Sequence, residues 1–230
     1  MPIPENIKKP IRQSAKTIAL NQLQKWITEG VLQSGEKISD ADLSQALGVS
    51  RTPVREALQI LEMQGFVEMQ PGKETRITAI DREDIPNIYQ TLAALDETAV
   101  NAAIEKVTEE DIISLIDINK NFAYAITEKD SLNASKLDEK FHKKIIEISG
   151  NHYIDSFTDT LYMHAARVRF VYFKSYVPAS ISVKEHEKII EALKAKDKQA
   201  AAKIIRENWL RPMEEIIKNL NGKEESSPKN

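Results

Sequence analysis

Four polar residues in the C-terminal part of the chain have the types and spacing of a metal-ligand set. Asp138 and His142 are four residues apart, so in a helix they project from one face. His186 is at helical spacing from isoleucine and leucine residues, and Asn208 from alanine and isoleucine residues. This spacing predicts that the polar set lies on inward helical faces. A carboxylate and neutral imidazoles suit zinc, nickel or manganese. A hydrogen-bonded core cluster without metal explains the same pattern, because any buried polar group needs a partner.

A second group of polar residues has the pattern of a helix that reads DNA. Arg51, Thr52, Arg55 and Gln59 lie opposite the apolar face of a predicted helix. That face consists of Val54, Ala57, Leu58 and Leu61. Near the N terminus of such a helix, arginine bonds to a guanine edge in the major groove, and the free first-turn N–H groups bind phosphate. In isolation the two arginines would indicate a solvated face, with Glu56 as an ion-pair partner.

The helices predicted around this one favour the DNA-binding interpretation. A helix over residues 14–30 precedes a short helix that opens at Ser39. The helix with the two arginines begins in the run 50–53, where we expect Thr52 to cap and Pro53 to occupy the first helical position. The order is that of a helix-turn-helix.

A wing is predicted directly after the helix-turn-helix. Two strand-like runs, 66–69 and 75–80, are joined by a turn at Pro71, Gly72 and Lys73. Lys73 at the tip is expected to reach the DNA backbone or the minor groove. Together these elements make a winged helix-turn-helix with a small two-stranded wing.

From Asp81 onward, strand signals are absent and the apolar spacing predicts six helices. Their ranges are 82–105, 109–127, 132–149, 153–174, 181–195 and 197–220. The predicted fold class is therefore mainly α, with an all-helical bundle after the winged helix. We expect a domain over 1–80, a second over 81–220 and a flexible polar tail over 221–230.

The amino-acid composition excludes some classes of protein, but the net charge does not show whether the chain binds DNA. The net charge is −3; residues 1–79 hold 10 Lys+Arg against 9 Asp+Glu, and the rest of the chain holds 22 against 26. DNA binding therefore has to be argued from where the charges lie. The absence of cysteine excludes disulfides and thiolate metal sites. Without a signal-like or membrane-length apolar run, we expect a cytoplasmic protein that binds no membrane.

The run LGVSRTPVREAL resembles the most recognisable stretch of the GntR family of bacterial regulators, within a likeness over about residues 14–80. The resemblance implies that Arg51 and Arg55 read bases, that Thr52 contacts phosphate and that Gly72 lets the wing approach DNA. The full predicted set of DNA-contacting residues is Ser50, Arg51, Thr52, Arg55, Gln59, Gly72 and Lys73.

Residues 82–220 resemble the FCD ligand-binding domain of FadR-type GntR regulators. The resemblance rests on LDEKFHKKIIEISGN and on EHEKIIEALKAKD. It implies one divalent metal ion, held by an aspartate and three histidines at the floor of an effector cavity. Asp138, His142 and His186 match the first three ligands, and Asn208 stands in place of the usual third histidine. Because an amide oxygen is a weaker ligand than imidazole for most transition metals, the presence of metal is left open.

The resemblance further implies a small carboxylate effector and a homodimer. An arginine that is common on the first helix of such domains is replaced here by Leu92. The fourth predicted helix offers alternative donors, namely Tyr162, Arg167, Arg169 and Tyr172. Residues 167 and 169 are expected to project in different directions, so that only part of this set faces inward.

These features predict an effector-responsive, sequence-specific DNA-binding regulator and not an enzyme. We expect a homodimeric repressor that leaves double-stranded operator DNA when a carboxylate metabolite binds, since two-fold operators match two-fold proteins. A metal-responsive regulator, in which the ion itself is the signal, is the alternative. A metal-dependent helical hydrolase is disfavoured, because the candidate base Glu139 follows Asp138 in the helix and points away from the site.

Overall fold

The chain divides into two compact units, Met1–Ala79 and Ile80–Asn230. A computed structural model describes residues 13–69, 74–172 and 179–225, and leaves the side chains of 172, 179 and 222–225 undescribed. Each unit buries its own apolar side chains. Leu23, Leu58 and Phe66 are enclosed in the first unit, and Tyr89 and Phe141 in the second.

The first unit contains the three predicted helices and the two predicted wing strands in the predicted order, with one additional short strand between the first two helices. The elements are α1 (Ala15–Thr28), β1 (Lys37–Ile38), α2 (Asp40–Leu47), α3 (Arg51–Met63), β2 (Val67–Glu68) and β3 (Thr75–Ile77). Helices α1 and α2 both pack against α3. Ser39 caps α2 by accepting a hydrogen bond from the backbone N–H of Asp42, as the sequence predicts. The residues of α3 that the sequence places inward are buried: Val54, Ala57, Leu58 and Leu61.

The start of α3 differs from the prediction. Ser50 is the N-cap residue, and its side chain forms no capping hydrogen bond. Thr52 and Pro53 therefore lie inside the first turn, and Thr52 does not cap. The tight turn decides this position, because Gly48 ends α2 with a φ of 66° and the chain becomes helical again three residues later. The first N–H groups of α3 consequently lack a side-chain cap.

The wing is part of a three-stranded antiparallel sheet, not the two-stranded one predicted. Its strand order is β1-β3-β2. Lys37 pairs with Arg76 and Ile38 with Thr75, which adds β1 to the edge of β3. A strand of two residues has no alternating pattern to detect, so sequence reasoning missed it. Gly72 and Lys73 lie outside the described residues.

The described residues of the second unit form helices joined by turns and contain no strand. They are α4 (Asp84–Ala103), α5 (Glu109–Thr127), α6 (Ser131–Ser149), α7 (His152–Tyr172), α8 (Ala179–Ala195) and α9 (Lys198–Glu225). The predicted ends agree within two residues except at the last one, where α9 continues five residues past position 220. The flexible tail over 221–230 stays a prediction, although residues 221–225 of that range belong to α9. Buried Ile216 and Leu220 anchor the preceding turns, and helix growth from an existing turn needs no new nucleus.

Helix α4 lies at the centre of the second unit. It packs against α6, α7 and α9, while α5 packs against α6 and α8. One apolar core runs through all six helices and includes Tyr89, Phe141, Tyr162, Leu193 and Trp209. None of the described helices could span a lipid bilayer.

We predict that Thr108→Ala lowers the free energy of unfolding by about 1 kcal/mol. Thr108 and Asp111 form a reciprocal capping box at the start of α5, and Asp111 also pairs with Lys144 of α6 at 3.0 Å. Urea unfolding followed by circular dichroism measures the change. The matched control is Thr98→Ala, an exposed threonine within α4 that caps nothing, with an expected change below about 0.5 kcal/mol. Equal effects of the two substitutions would contradict the prediction.

Candidate functional site

The polar face of α3 is open to solvent. Ser50, Arg51, Thr52, Arg55 and Gln59 are all exposed, on the side opposite the buried apolar face. Within the described residues, Arg51 forms no hydrogen bond or ion pair, so its guanidinium donors are available. The structure therefore brings five of the seven predicted DNA-contacting residues onto one surface, and the other two, Gly72 and Lys73, lie outside the described residues.

Arg55 has a partner that sequence reasoning did not identify. Its guanidinium contacts the carboxylate of Asp40, at the start of α2, and not Glu56. The Arg55 side chain is 63% exposed, and an ion pair at such a surface contributes little stability. A phosphate or a guanine edge can therefore replace Asp40 as the partner at small cost.

In the second unit, the structure brings Asp138, His142 and His186 together. One ligand atom from each residue lies within 4.8 Å of the others. Asp138 and His142 are on α6 and His186 is on α8; both histidines are buried, and Asp138 is partly buried. The three residues that the sequence proposes as metal ligands thus form one cluster.

His186 presents a nitrogen without a hydrogen-bond partner to this cluster. Its Nε2 is buried, has no hydrogen bond within the described structure, and lies 3.5 Å from Oδ1 of Asp138. Burial, together with the charges of His142 and Arg211, holds the pKa of His186 well below its ordinary value. The ring is therefore neutral at physiological pH, the state in which imidazole binds metal.

His142 is held by a buried carboxylate that sequence reasoning missed. Its Nδ1 lies 2.7 Å from Oδ2 of Asp96, on α4. The same carboxylate accepts hydrogen bonds from the Trp209 indole at 2.7 Å and from the Tyr162 hydroxyl at 3.3 Å. Burial lowers the pKa of His142, but the hydrogen bond and charge of Asp96 outweigh burial and raise it. Position 96 is seven residues from Tyr89 on the inward face of α4, a spacing from which the sequence could have revealed Asp96.

Asn208 is buried and engaged with a neighbouring carboxylate. Its Nδ2 donates to Oε2 of Glu185 at 2.7 Å. Arg211 donates to both oxygens of the same carboxylate at 2.8 Å. The amide nitrogen of Asn208 therefore helps to join α8 to α9. The sequence, in which Asn208 stands in place of a histidine ligand, did not suggest this structural role.

Two further groups beside Asp138 have unused donors. Arg169 of α7 donates through Nη1 to Oδ2 of Asp138 at 3.2 Å, while its Nε and Nη2 are buried without a partner in the described structure. The buried hydroxyl of Tyr89 also lacks one. Burial raises the pKa of Tyr89 to about 12, so the phenol stays protonated and is a donor. The sequence singled out Arg169 but not Tyr89.

The remaining predicted effector residues have different surroundings. Arg167 and Arg169 are both largely enclosed, which corrects the expectation that one of them faces solvent. The reason is that α7 packs against both α4 and α6, so more than one of its sides is covered. The hydroxyl of Tyr162 is engaged with Asp96. The side chain of Tyr172 lies outside the described residues.

Two family models match the chain. The model described as bacterial regulatory proteins, gntR family, matches residues 16–77. The FCD domain model matches residues 87–210. The matched families contain transcriptional regulators and not enzymes, which confirms the expectation that the chain is not an enzyme.

Individual relatives agree with both matches, and a solved structure agrees with the fold. An uncharacterized HTH-type transcriptional regulator of Bacillus subtilis, YdhC, is 29% identical over 79% of this chain and 81% of its own length. The HTH-type transcriptional repressor RspR of Escherichia coli is 23% identical over 94% of this chain and 92% of its own. The structure of E. coli McbR/YncC superposes with a TM-score of 0.81 at 21% identity, covering 91% of this chain and all of that one, and so supports the fold.

We predict that Asp96→Asn lowers the free energy of unfolding of the second unit by about 3 kcal/mol, because three buried donors lose their shared anion. Trp26 and Trp209 are the two tryptophans, so urea unfolding in a Trp26→Phe background reports on the second unit through Trp209 fluorescence. The control is Asp117→Asn, whose side chain is 63% exposed, with a change below about 0.5 kcal/mol. A loss below about 1 kcal/mol for Asp96→Asn would show that the carboxylate is not the anchor of this cluster.

Proposed function

Because the chain belongs to the GntR family of bacterial regulatory proteins and carries the FCD domain of its FadR-type members, we propose that this transcriptional regulator is a repressor. In this proposal it leaves its operator when a small carboxylate binds beside a divalent metal ion in the second unit. Residues 1–80 bind DNA, residues 81–220 bind the effector and form a homodimer, and a dimer reads a two-fold operator.

The exposed face of α3 supports the assignment of DNA contacts. Arg51, Arg55 and Gln59 present donors that match base edges in the major groove. Thr52 and the uncapped N–H groups of the first turn suit a phosphate oxygen. Gly72 and Lys73 complete the proposed set from the wing.

The ligand cluster fits a divalent metal ion. Asp138 offers a carboxylate oxygen, and His186 offers a neutral ring whose buried Nε2 has no hydrogen bond within the described structure. His142 uses Nδ1 against Asp96, which leaves its Nε2 for a ligand. Zinc, nickel or manganese suits this donor set, with Asn208 as a further, weaker candidate. When bound, such an ion supplies a Lewis-acidic position at which a carboxylate can be ligated.

One observation carries the proposal of a carboxylate effector. Arg169 and Tyr89 have buried donors without partners, next to the ligand cluster. A buried donor without a hydrogen bond is costly, and a guanidinium with two free donors matches the two oxygens of a carboxylate. In this proposal Arg169 takes the place of the arginine that Leu92 replaces on α4. Arg167 and Tyr172 remain further candidates for effector binding. Tyr162 acts indirectly, through its hydrogen bond to Asp96.

We predict that Arg51→Ala and Arg55→Ala each weaken specific DNA binding about 10- to 100-fold, the loss expected for one bidentate guanine contact. The probe is a duplex selected by the wild-type protein from a random-sequence library, and the affinity is measured by fluorescence anisotropy. Lys25→Ala removes an exposed charge from α1 and is expected to stay within about twofold. If the arginine variants bind the selected duplex as tightly as Lys25→Ala does, α3 does not read DNA as proposed.

We predict that citrate, malate or lactate raises the melting temperature of the nickel- or zinc-loaded protein and releases it from the selected duplex. Arg169→Gln should weaken this response at least about 10-fold and Tyr89→Phe about 5- to 10-fold, because each removes donors from the carboxylate. Arg206→Gln, a surface variant of a cation paired with Glu97, is the control. Release of DNA by metal alone, without any carboxylate, would replace this proposal by the metal-responsive alternative.

A further inference from the structure

Asn119 of α5 links the backbone of α8 to the ring of His186. Its Nδ2 donates to the carbonyl oxygen of Val183 at 3.0 Å. Its Oδ1 lies 3.0 Å from Nδ1 of His186. Asn119 is 5% exposed and His186 is fully enclosed, so water does not compete for these bonds. Within the described residues, the two ends of this amide are thus bonded to Val183 and His186.

The chemistry of the three groups fixes which nitrogen of His186 carries the proton. A backbone carbonyl only accepts hydrogen bonds, so the NH₂ group of Asn119 has to face Val183. The amide oxygen therefore faces His186, and because it also only accepts, Nδ1 has to be the donor. A neutral ring with a proton on Nδ1 has its lone pair on Nε2.

The lone pair of Nε2 faces the Asp138 carboxylate, 3.5 Å away. Two acceptors that face each other at this distance repel unless a cation lies between them. Two aromatic rings hold the imidazole in place: Phe141 is stacked on it at 3.8 Å with an interplanar angle of 8°, and Phe122 lies at 5.3 Å. The ring therefore cannot easily turn to offer Nδ1 in place of Nε2.

We infer that Asn119 is a positioning residue that keeps the proton of His186 on Nδ1 and thereby prepares Nε2 as a metal ligand. The inference rests on the proposed function of the Asp138, His142 and His186 cluster. Without Asn119, the carboxylate of Asp138 becomes the better acceptor for the ring proton, and the proton moves to Nε2. A metal ion then has to displace that proton and reorganise the ring, which lowers its affinity.

Two substitutions separate this role from a merely structural one. Asn119→Ala removes the acceptor for Nδ1–H and also the bond to Val183. Asn119→Asp keeps an acceptor for Nδ1–H but loses the bond to Val183, and carboxylates are common partners of metal-bound histidine. If Asn119 only links α5 to α8, both variants lose metal affinity to the same extent. If it positions His186, only Asn119→Ala changes the behaviour of the ring.

The first measurement is the tautomer of His186 in metal-free, full-length protein at pH 8, by ¹⁵N–¹H correlation of the imidazole nitrogens. The chain has four histidines, so the His186 signals are assigned by comparison with a His186→Gln variant. We expect the proton on Nδ1 in the wild type and mainly on Nε2 in Asn119→Ala. A proton that stays on Nδ1 in Asn119→Ala, or that already lies on Nε2 in the wild type, overturns the inference.

The second measurement is the affinity for zinc alone and for nickel alone, by competition with a chromophoric chelator. We expect a loss of about 10- to 100-fold in Asn119→Ala and of less than about threefold in Asn119→Asp. Asn121→Ala, an exposed asparagine two residues along α5, is the control and should bind as the wild type does. Equal losses in the Ala and Asp variants would assign Asn119 a structural role only. If the wild type binds neither metal, the proposed metal site fails, while the tautomer measurement still decides the role of Asn119.

Discussion

The Asp96 carboxylate is the contact on which the helical unit depends. A buried anion needs compensating partners: Tyr162 on α7 and Trp209 on α9 donate hydrogen bonds to it, and Nδ1 of His142 on α6 lies 2.7 Å away. Since Asp96 itself lies on α4, one side chain joins four of the six helices that the structure describes in this unit. Any arrangement of these helices that separated the donors would leave the carboxylate uncompensated, so the cluster specifies how the helices pack as well as stabilising them.

The buried polar groups of this core differ in whether they have hydrogen-bond partners. The Asp96 carboxylate accepts hydrogen bonds from Trp209 and Tyr162 and lies 2.7 Å from Nδ1 of His142. Tyr89, Arg169 and His186 each present a buried atom without a hydrogen bond in the described structure, whereas Nδ1 of His142, which also lacks one, lies 2.7 Å from the Asp96 carboxylate. Folded proteins leave few such atoms, so their concentration around Asp138 supports the proposed metal and effector site. The contacts of Asp96 hold α4, α6 and α7 together, and these helices carry Tyr89, Asp138 and Arg169.

In the first unit, the polar side chains of interest point away from the core. The apolar residues of α3 are buried against α1 and α2, and this fixes the opposite face outward. Arg55 contacts Asp40 across the helix-turn-helix, whereas Arg51 has no partner within the described residues. The two arginines thus start from different states: one has to exchange a carboxylate for DNA, and the other is free to bind directly.

The sequence by itself determined the two-unit order, the helices and three members of the ligand cluster, because helical periodicity and capping are local and repeat over many residues. It did not reveal β1, whose pairing with β3 is a long-range contact of two residues. Nor did it reveal that Asp96 and Asn119 hold His142 and His186, since these partners come from other helices and have no fixed spacing from the histidines. Only the tertiary structure decided that Arg169 turns inward to Asp138, because the burial of a side chain depends on which neighbouring helices cover it.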